Sequence, residues 1–173
     1  MISPTLIGVL AFVFLFGVVA FIGAPYVPSH KKYVRRAFEH FGFGEGDVLV
    51  DAGSGDGIVL RIASKQGMRA IGYDINPVLV LISKMLSLSD TKVTVLLQNL
   101  WAAKLPADTT IVYAFSVSRD EMKLIKLLQN EANRLQKPLK LLCYGSPFKS
   151  MQATDAFEAY HLYLFHPLQS KNA

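Results

Sequence analysis

The chain has 173 residues, 51% hydrophobic and 18% charged, with 18 Lys and Arg against 13 Asp and Glu. That balance excludes a disordered chain, and the length allows one compact domain. A single cysteine, Cys143, excludes a disulfide framework and any multi-cysteine zinc or iron–sulfur centre.

The mean hydropathy of +0.32 is high for a soluble domain, and the excess is concentrated near the N-terminus. Residues 5–24 (TLIGVLAFVFLFGVVAFIGA) carry no charge and no proline. At about 1.5 Å per residue this run spans roughly 30 Å, the hydrocarbon thickness of a bilayer. No Lys or Arg precedes it and Pro25 follows directly, which argues against a cleaved signal peptide. Residues 1–24 therefore read as a transmembrane anchor. All 18 cations follow the run, the nearest being Lys31, Lys32, Arg35 and Arg36. The positive-inside rule then predicts a single-pass protein with its N-terminus outside and its catalytic part in the cytoplasm. A prokaryotic plasma membrane is the expected location, with a mitochondrial membrane as the alternative. The four cations also suit anionic lipid, so the bilayer itself is an expected partner.

Residues 25–46 read as a linker (PYVP) and an N-terminal helix capped by Ser29, with Val34, Ala37, Phe38 and Phe41 at helical spacing. Residues 47–173 read as the main domain. Asp47 to Ala52 is a short strand ending in an acid, followed by a glycine cluster and a helix to about Gln66. Arg69 to Ile75 is a second strand ending in an acid, and Asn76 with Pro77 opens the next helix. Val93 to Gln98, Thr110 to Phe115, Lys140 to Tyr144 and Ala159 to Phe165 read as further strands. Ser118 and Glu121 have capping-box spacing ahead of a helix to about Gln136. Strands alternating with helices predict an α/β fold: a Rossmann-like, doubly wound, mostly parallel sheet of about six strands behind one transmembrane helix. Ligands of such sheets bind at the carboxyl ends of the strands.

The chemistry is concentrated in Asp51-Ala52-Gly53-Ser54-Gly55-Asp56-Gly57. A phosphate-cradling loop needs a Gly-Lys-Ser/Thr ending, which is missing. A dinucleotide loop needs a third Gly where Ile58 stands, and two acids in the loop would repel a pyrophosphate. The acids suit a cationic ligand. S-adenosylmethionine, with its sulfonium and α-amino group, is such a ligand. Asp51 and Asp56 are placed to face its amino-acid end. Asp74, about 20 residues beyond the glycines, has the spacing of an acid that holds ribose hydroxyls. Asn99 and Trp101 follow the third strand, where an adenine can stack and hydrogen-bond. Ala52, Ser54, Ile75 and Leu100 complete the expected cofactor-binding set. Cys143 reads as a core residue, and His161 and His166 have no acid at ligand spacing, so no metal site is expected.

Taken in order, PYVPSHKKYV, VDAGSGDGIVL, GYDINPVLV, QNLW and YGSPF resemble the class I S-adenosylmethionine-dependent methyltransferases. Within that class they look like the membrane-anchored protein-lysine methyltransferases of mitochondria and their prokaryotic relatives, known mitochondrial members of which modify the ATP synthase c-subunit or the adenine nucleotide translocase. The resemblance runs from about Pro25 to about Phe165. It implies methionine contacts from Asp51, Gly53, Gly55 and Asp56, ribose contacts from Asp74 and adenine contacts from Asn99 and Trp101. The chain departs from the family at three positions: Asn99 stands where Asp is usual, Ile58 where Arg is frequent, and Ser118 where Pro is frequent.

The expected activity is methyl transfer to a lysine of a membrane-embedded or membrane-associated protein. Methylation of a lipid, quinone precursor or small molecule is the rival, and an inactive cofactor-binding scaffold a second one. No nucleic-acid partner is expected, because the Asp/Asn-Pro-Pro-aromatic signature is absent at Tyr113 to Ser116 and the cations are scattered. No residue stands out as a general base. Tyr113, Phe115, Tyr144 and Phe148, at or after the ends of the fourth and fifth strands, are the candidates for an acceptor pocket.

Overall fold

A computed structural model describes residues 3–10, 30–116 and 118–168. Residues 4–10 are helical and exposed. Residues 11–24 of the expected membrane anchor lie outside the described residues. Among the described residues no helix is long and apolar enough to cross a membrane.

The rest is one sheet between two helical layers. Helix α1 (Lys31–His40) leads to β1 (Val48–Ala52), α2 (Ile58–Lys65), β2 (Arg69–Asp74), α3 (Pro77–Leu86) and β3 (Val93–Leu97). A short 3₁₀ turn (Leu100–Ala102) precedes β4 (Ile111–Ser116), and another (Ser118–Asp120) precedes α4 (Glu121–Leu135). The chain then forms β5 (Leu139–Gly145), β6 (Asp155–Phe157) and β7 (Tyr160–Phe165). The sheet order is β3-β2-β1-β4-β5-β7-β6. Its first five strands are parallel, and β7 pairs antiparallel with both β5 and β6. Seven strands replace the expected six. The extra one, β6, is three residues long and too short to show an alternating pattern.

Each sheet face builds its own core. Val34, Ala37 and Phe38 of α1, Val59, Leu60 and Ala63 of α2 and Val80 of α3 cover one face. Leu124, Leu128 and Ala132 of α4 cover the other. The central strands are buried on both sides, which is why they read as nearly continuous apolar runs. Cys143 lies in the second core, where burial pushes its thiol up to about 12. It is a packing residue there and no nucleophile.

Helix starts follow the sequence in part. The Asn76 amide oxygen accepts from the Val78 and Leu79 N–H groups at 3.0 and 3.4 Å, and Pro77 occupies the first turn. The N-cap position of α1 is His30, without a side-chain cap, while Ser29 lies outside the described residues. The N-cap position of α4 is Asp120 rather than the expected Ser118, and the Asp120 side chain makes no cap hydrogen bond. Glu121 instead accepts from the Lys149 and Ser150 N–H groups at 3.0 and 2.8 Å and from the Ser150 hydroxyl, pinning the segment after β5. These bonds, that of the Ser150 hydroxyl first, hold its carboxyl below the usual range. The stabilisation is therefore present above the unfolded value of 4.5 and lost as pH falls through the lower folded value. Glu121→Gln is expected to flatten the acid limb of the melting temperature against pH below about 4.5, measured by differential scanning calorimetry.

At the far edge, the His40 ring stacks on Phe157 at 4.4 Å, and the Arg36 guanidinium sits 5.3 Å from the Phe157 ring centre. These contacts seat α1 against the β6–β7 hairpin.

Candidate functional site

Strands β1 and β2 are adjacent and parallel, so their carboxyl ends bring Asp51 and Asp74 to one rim of the sheet. Between β1 and α2 the backbone takes left-handed conformations at Gly53, Gly55 and Gly57, with φ of 85°, 55° and 77°. A β-carbon at Gly53 would meet nothing within 4 Å, so this turn opens onto free space. At Gly57 it would lie 2.0 Å from the Ser83 hydroxyl of α3. The first glycine leaves room for a ligand, and the last lets α3 approach the loop.

Backbone hydrogen bonds fix the loop. The Gly53 and Ser54 N–H groups donate to the Tyr73 carbonyl at 2.8 and 3.0 Å. The Asp74 carboxylate receives the Gly55 N–H on Oδ2 and the Asn76 N–H on Oδ1, both at 2.8 Å. Its rotamer is thereby set, and each oxygen keeps a lone pair for a further donor. Asp56 accepts from the Ile58 N–H at 3.2 Å, and the Arg61 guanidinium donates to the Asp56 carbonyl at 2.6 Å. Arg61 thus braces the loop from one turn beyond Ile58, where the resembled family often has Arg.

Asp51 is 3% exposed. Burial first, then the neighbouring charges of Asp74 and Asp56, push its carboxyl up to about 8. Three acids converge here, and the buried one among them, Asp51, keeps its proton to about pH 8. Among the described residues no group of three or more His, Cys, Asp or Glu is placed to hold a metal ion. The donor set and the open turn at Gly53 fit a ligand with a cationic amino-acid end, as S-adenosylmethionine has.

On the side expected to take the adenine, the Gln98 N–H donates to the Asp74 carbonyl at 2.9 Å and carries the chain from β3 past Asp74. Asn99 then caps the 3₁₀ turn, its amide oxygen accepting the Trp101 N–H at 3.1 Å. The Leu100 side chain is in the second core, and Ala52 and Trp101 are partly buried against it. The Lys123 ammonium lies 4.1 Å from the Trp101 ring centre, so it occupies one face of the indole. Ile75, 40% exposed beside Asp74, supplies an accessible apolar surface on this side. Because the Asn99 oxygen already serves the cap, Asn99→Asp is expected to strengthen cofactor binding about 5-fold, since a charged acceptor adds about 1 kcal/mol over a neutral one. Isothermal titration measures it.

Of the expected pocket residues, the structure brings three together. Tyr113 on β4 is the direct neighbour of Asp51 on β1. Phe115 and Tyr144 have ring centres 5.9 Å apart. Phe148 lies on the opposite face, stacked at 4.4 Å on Tyr163, whose hydroxyl accepts the Phe148 N–H at 2.7 Å. Its place is taken by Tyr160, which sequence reasoning placed only in a strand. The Tyr160 ring lies 4.9 Å from Tyr144 and 6.5 Å from Tyr113. Burial pushes its phenol up to about 12, partly offset by a hydrogen bond with Tyr113. The available signal was the strand alternation of AYHLYLF, but the antiparallel insertion of β7 beside β5 is a tertiary fact.

No protein-family model matches the chain. The lysine N-methyltransferase of the ATP synthase c-subunit from Xenopus laevis is 31% identical over 129 residues, covering 72% of this chain and 54% of that protein. The Homo sapiens protein of the same name is 28% identical over 127 residues, with 72% and 52% covered. The chain thus spans about half the length of the curated relatives it matches. Among solved structures, an RNA methyltransferase from Salinibacter ruber in complex with S-adenosyl-L-homocysteine superposes with a TM-score of 0.70 at 25% identity. That match covers 85% of this chain and 98% of the other.

Proposed function

We propose that this chain, which resembles the class I S-adenosylmethionine-dependent methyltransferases and the lysine N-methyltransferases within them, transfers a methyl group to a lysine side chain of a membrane-associated protein. The observation that carries the reading is the pair of acids at neighbouring strand tips around a glycine turn open to space, with a tyrosine beside the first acid. The curated relatives support lysine as acceptor, and the structure solved with S-adenosyl-L-homocysteine supports the cofactor.

When bound, S-adenosylmethionine supplies a methyl group already activated on a cationic sulfur. The residues then have positioning work to do, which can supply about 7–11 kcal/mol of barrier reduction. Asp51 and Asp56 hold the cationic amino-acid end, and the left-handed turn at Gly53 lets the backbone approach it. Asp74 receives the ribose hydroxyls on oxygens oriented by two backbone N–H groups. Tyr113, Phe115, Tyr144 and Tyr160 line the acceptor side. Their rings disfavour a charged amine, whose pKa is ordinarily about 10.4, so the lysine gives its proton to bulk water before the rings enclose it. Tyr160, with its phenol near 12, stays protonated at neutral pH and acts as a hydrogen-bonding wall rather than a base.

The Salinibacter ruber neighbour favours RNA as a second acceptor class. Both are tested in one assay. Membranes and total RNA from cells lacking the chain are incubated with purified full chain and methyl-labelled S-adenosylmethionine, then separated into protein, RNA and organic extract. Label in a discrete protein band, recovered as methyl-lysine and lost with Asp51→Ala, is the expected result. Label in RNA, or only in the organic extract, transfers the activity to that acceptor. No label despite measurable cofactor binding makes the chain a scaffold.

A further inference from the structure

Helix α3 is amphipathic in an unusual sense. Val80 and Ser83 face the sheet, while Leu81, Met85, Leu86 and Leu88 are 59%, 61%, 56% and 83% exposed, and Ile82 is also exposed. Leu81 and Met85 are spaced i, i+4 on the outer surface of the helix, and Leu88 is exposed in the turn that follows it. On the neighbouring edge strand, Val93 and Val95 turn toward the helices, so alternation puts Leu97, also exposed, on the same side. Scattered exposed apolar residues are ordinary, but five within eight consecutive residues mark a contact surface.

The charge around this surface identifies its occupant. The three helices of that layer, α1, α2 and α3, carry Lys31, Lys32, Arg35, Arg36, Arg61, Lys65 and Lys84 against one acid, Glu39. Arg36 and Arg61 are ion-paired with Glu158 and Asp56, and the other five cations are exposed. No acid occurs between Asp74 and Asp90, the stretch that includes all of α3. Helix α4 on the opposite layer is mixed, with three cations and two acids. Two copies meeting through the α1–α3 layer would set like charges against each other. An anionic lipid surface would instead complement them, at about 1 kcal/mol per cation near the headgroups. Tyr33, exposed on α1, is a residue type enriched at that depth. The uncharged run 5–24 lies just ahead of α1 in the chain.

We propose that the outer face of the α1–α2–α3 layer lies on an anionic bilayer, with Leu81, Ile82, Met85, Leu86 and Leu88 set into its interface. The contact is independent of the acceptor, so it is read without measuring methyl transfer. The full chain carrying Met85→Cys or Lys126→Cys is spin-labelled; Cys143 is buried and stays unlabelled. Each labelled chain is reconstituted into vesicles of phosphatidylcholine with phosphatidylglycerol, and into phosphatidylcholine alone. In the mixed vesicles, the label at 85 is expected to be at least about tenfold more accessible to lipid-dissolved oxygen, relative to an aqueous nickel chelate, than the label at 126. In pure phosphatidylcholine this contrast shrinks. Equal water accessibility at the two positions overturns the proposal. So does protection at 85 from both quenchers with dipolar coupling between labels, which assigns the face to a second copy. Hydrogen exchange of the unmodified chain gives an answer that needs no substitution: amides of residues 77–88 that exchange equally fast in both vesicle types also overturn it.

Discussion

Asp51→Asn is expected to yield a chain that is more heat-stable than its parent above pH 8 and binds S-adenosylmethionine about 10- to 100-fold more weakly. The carboxyl ordinarily titrates at 3.8 and is pushed up to about 8 by burial, Asp74 and Asp56. A raised folded value means that the folded chain holds the proton more tightly than the unfolded one. The stabilisation is therefore complete below 3.8, declines as pH rises, and is gone once pH passes through about 8. Above that point the parent holds an ionised carboxylate in a buried place beside two other acids. An amide cannot ionise, so the variant is spared that cost. Recovering about 1–3 kcal/mol would raise the melting temperature by roughly 3–10 °C at this chain length. In the proposed function the same carboxylate faces the cationic end of the cofactor. Parent affinity should therefore weaken as pH falls below about 8, and binding in that range should release a proton to buffer. The variant should show a flat profile. Scanning calorimetry at pH 7 and 9, and titration calorimetry in two buffers, measure both effects. Equal cofactor affinity in parent and variant would remove Asp51 from the site.

The second large effect is structural. Gly57→Ala places a β-carbon 2.0 Å from the Ser83 hydroxyl, at a backbone φ of 77°. Left-handed backbone costs a β-carbon-bearing residue about 1–2 kcal/mol, and overpacking a buried contact typically about 1–3 more. Ser83 is fully buried, so the contact cannot be relieved by swinging the hydroxyl into solvent. The sum corresponds to a fall in melting temperature of roughly 5–15 °C. Removing the Ser83 hydroxyl relieves the worst of the steric part, leaving the Ser83 β-carbon and the Arg61 guanidinium each at 3.2 Å. The double variant Gly57→Ala, Ser83→Ala should therefore recover about half of the loss, the remainder being backbone strain and these two tight contacts. No recovery would mean that α3 does not seat against the loop as described.

How legible the site was depended on where its residues sit in the chain. Asp51, the glycines and Asp74 fall within one strand–loop–helix–strand passage, so their relation is carried by spacing along the sequence. The Asn76 cap was equally plain, because a cap acts on amides only two or three residues away. Glu121 shows the limit of local reading. Its distance from Ser118 has the spacing of a capping box, yet its carboxylate is taken by amides 28 and 29 residues later. Phe148 and Tyr160 exchange places for the same kind of reason. Aromatic residues near strand ends look alike in sequence, and only strand order and the sheet face decide which of them meet.

The order of residues is enough to give the alternation of strands and helices, the acid-and-glycine turn that suits a cationic ligand, and the concentration of apolar residues before the first cation. Those features follow from periodicity, backbone permissiveness and charge, each of which acts over a few residues. Tertiary structure alone decided that β7 inserts antiparallel between β5 and β6 and so brings Tyr160 against Tyr113 and Tyr144. It also decided that Asp51 is buried deeply enough to keep its proton to about pH 8, and that half of an apolar helix faces outward rather than into the core. Burial is a property of everything packed around a residue, and most of those neighbours are distant in the chain.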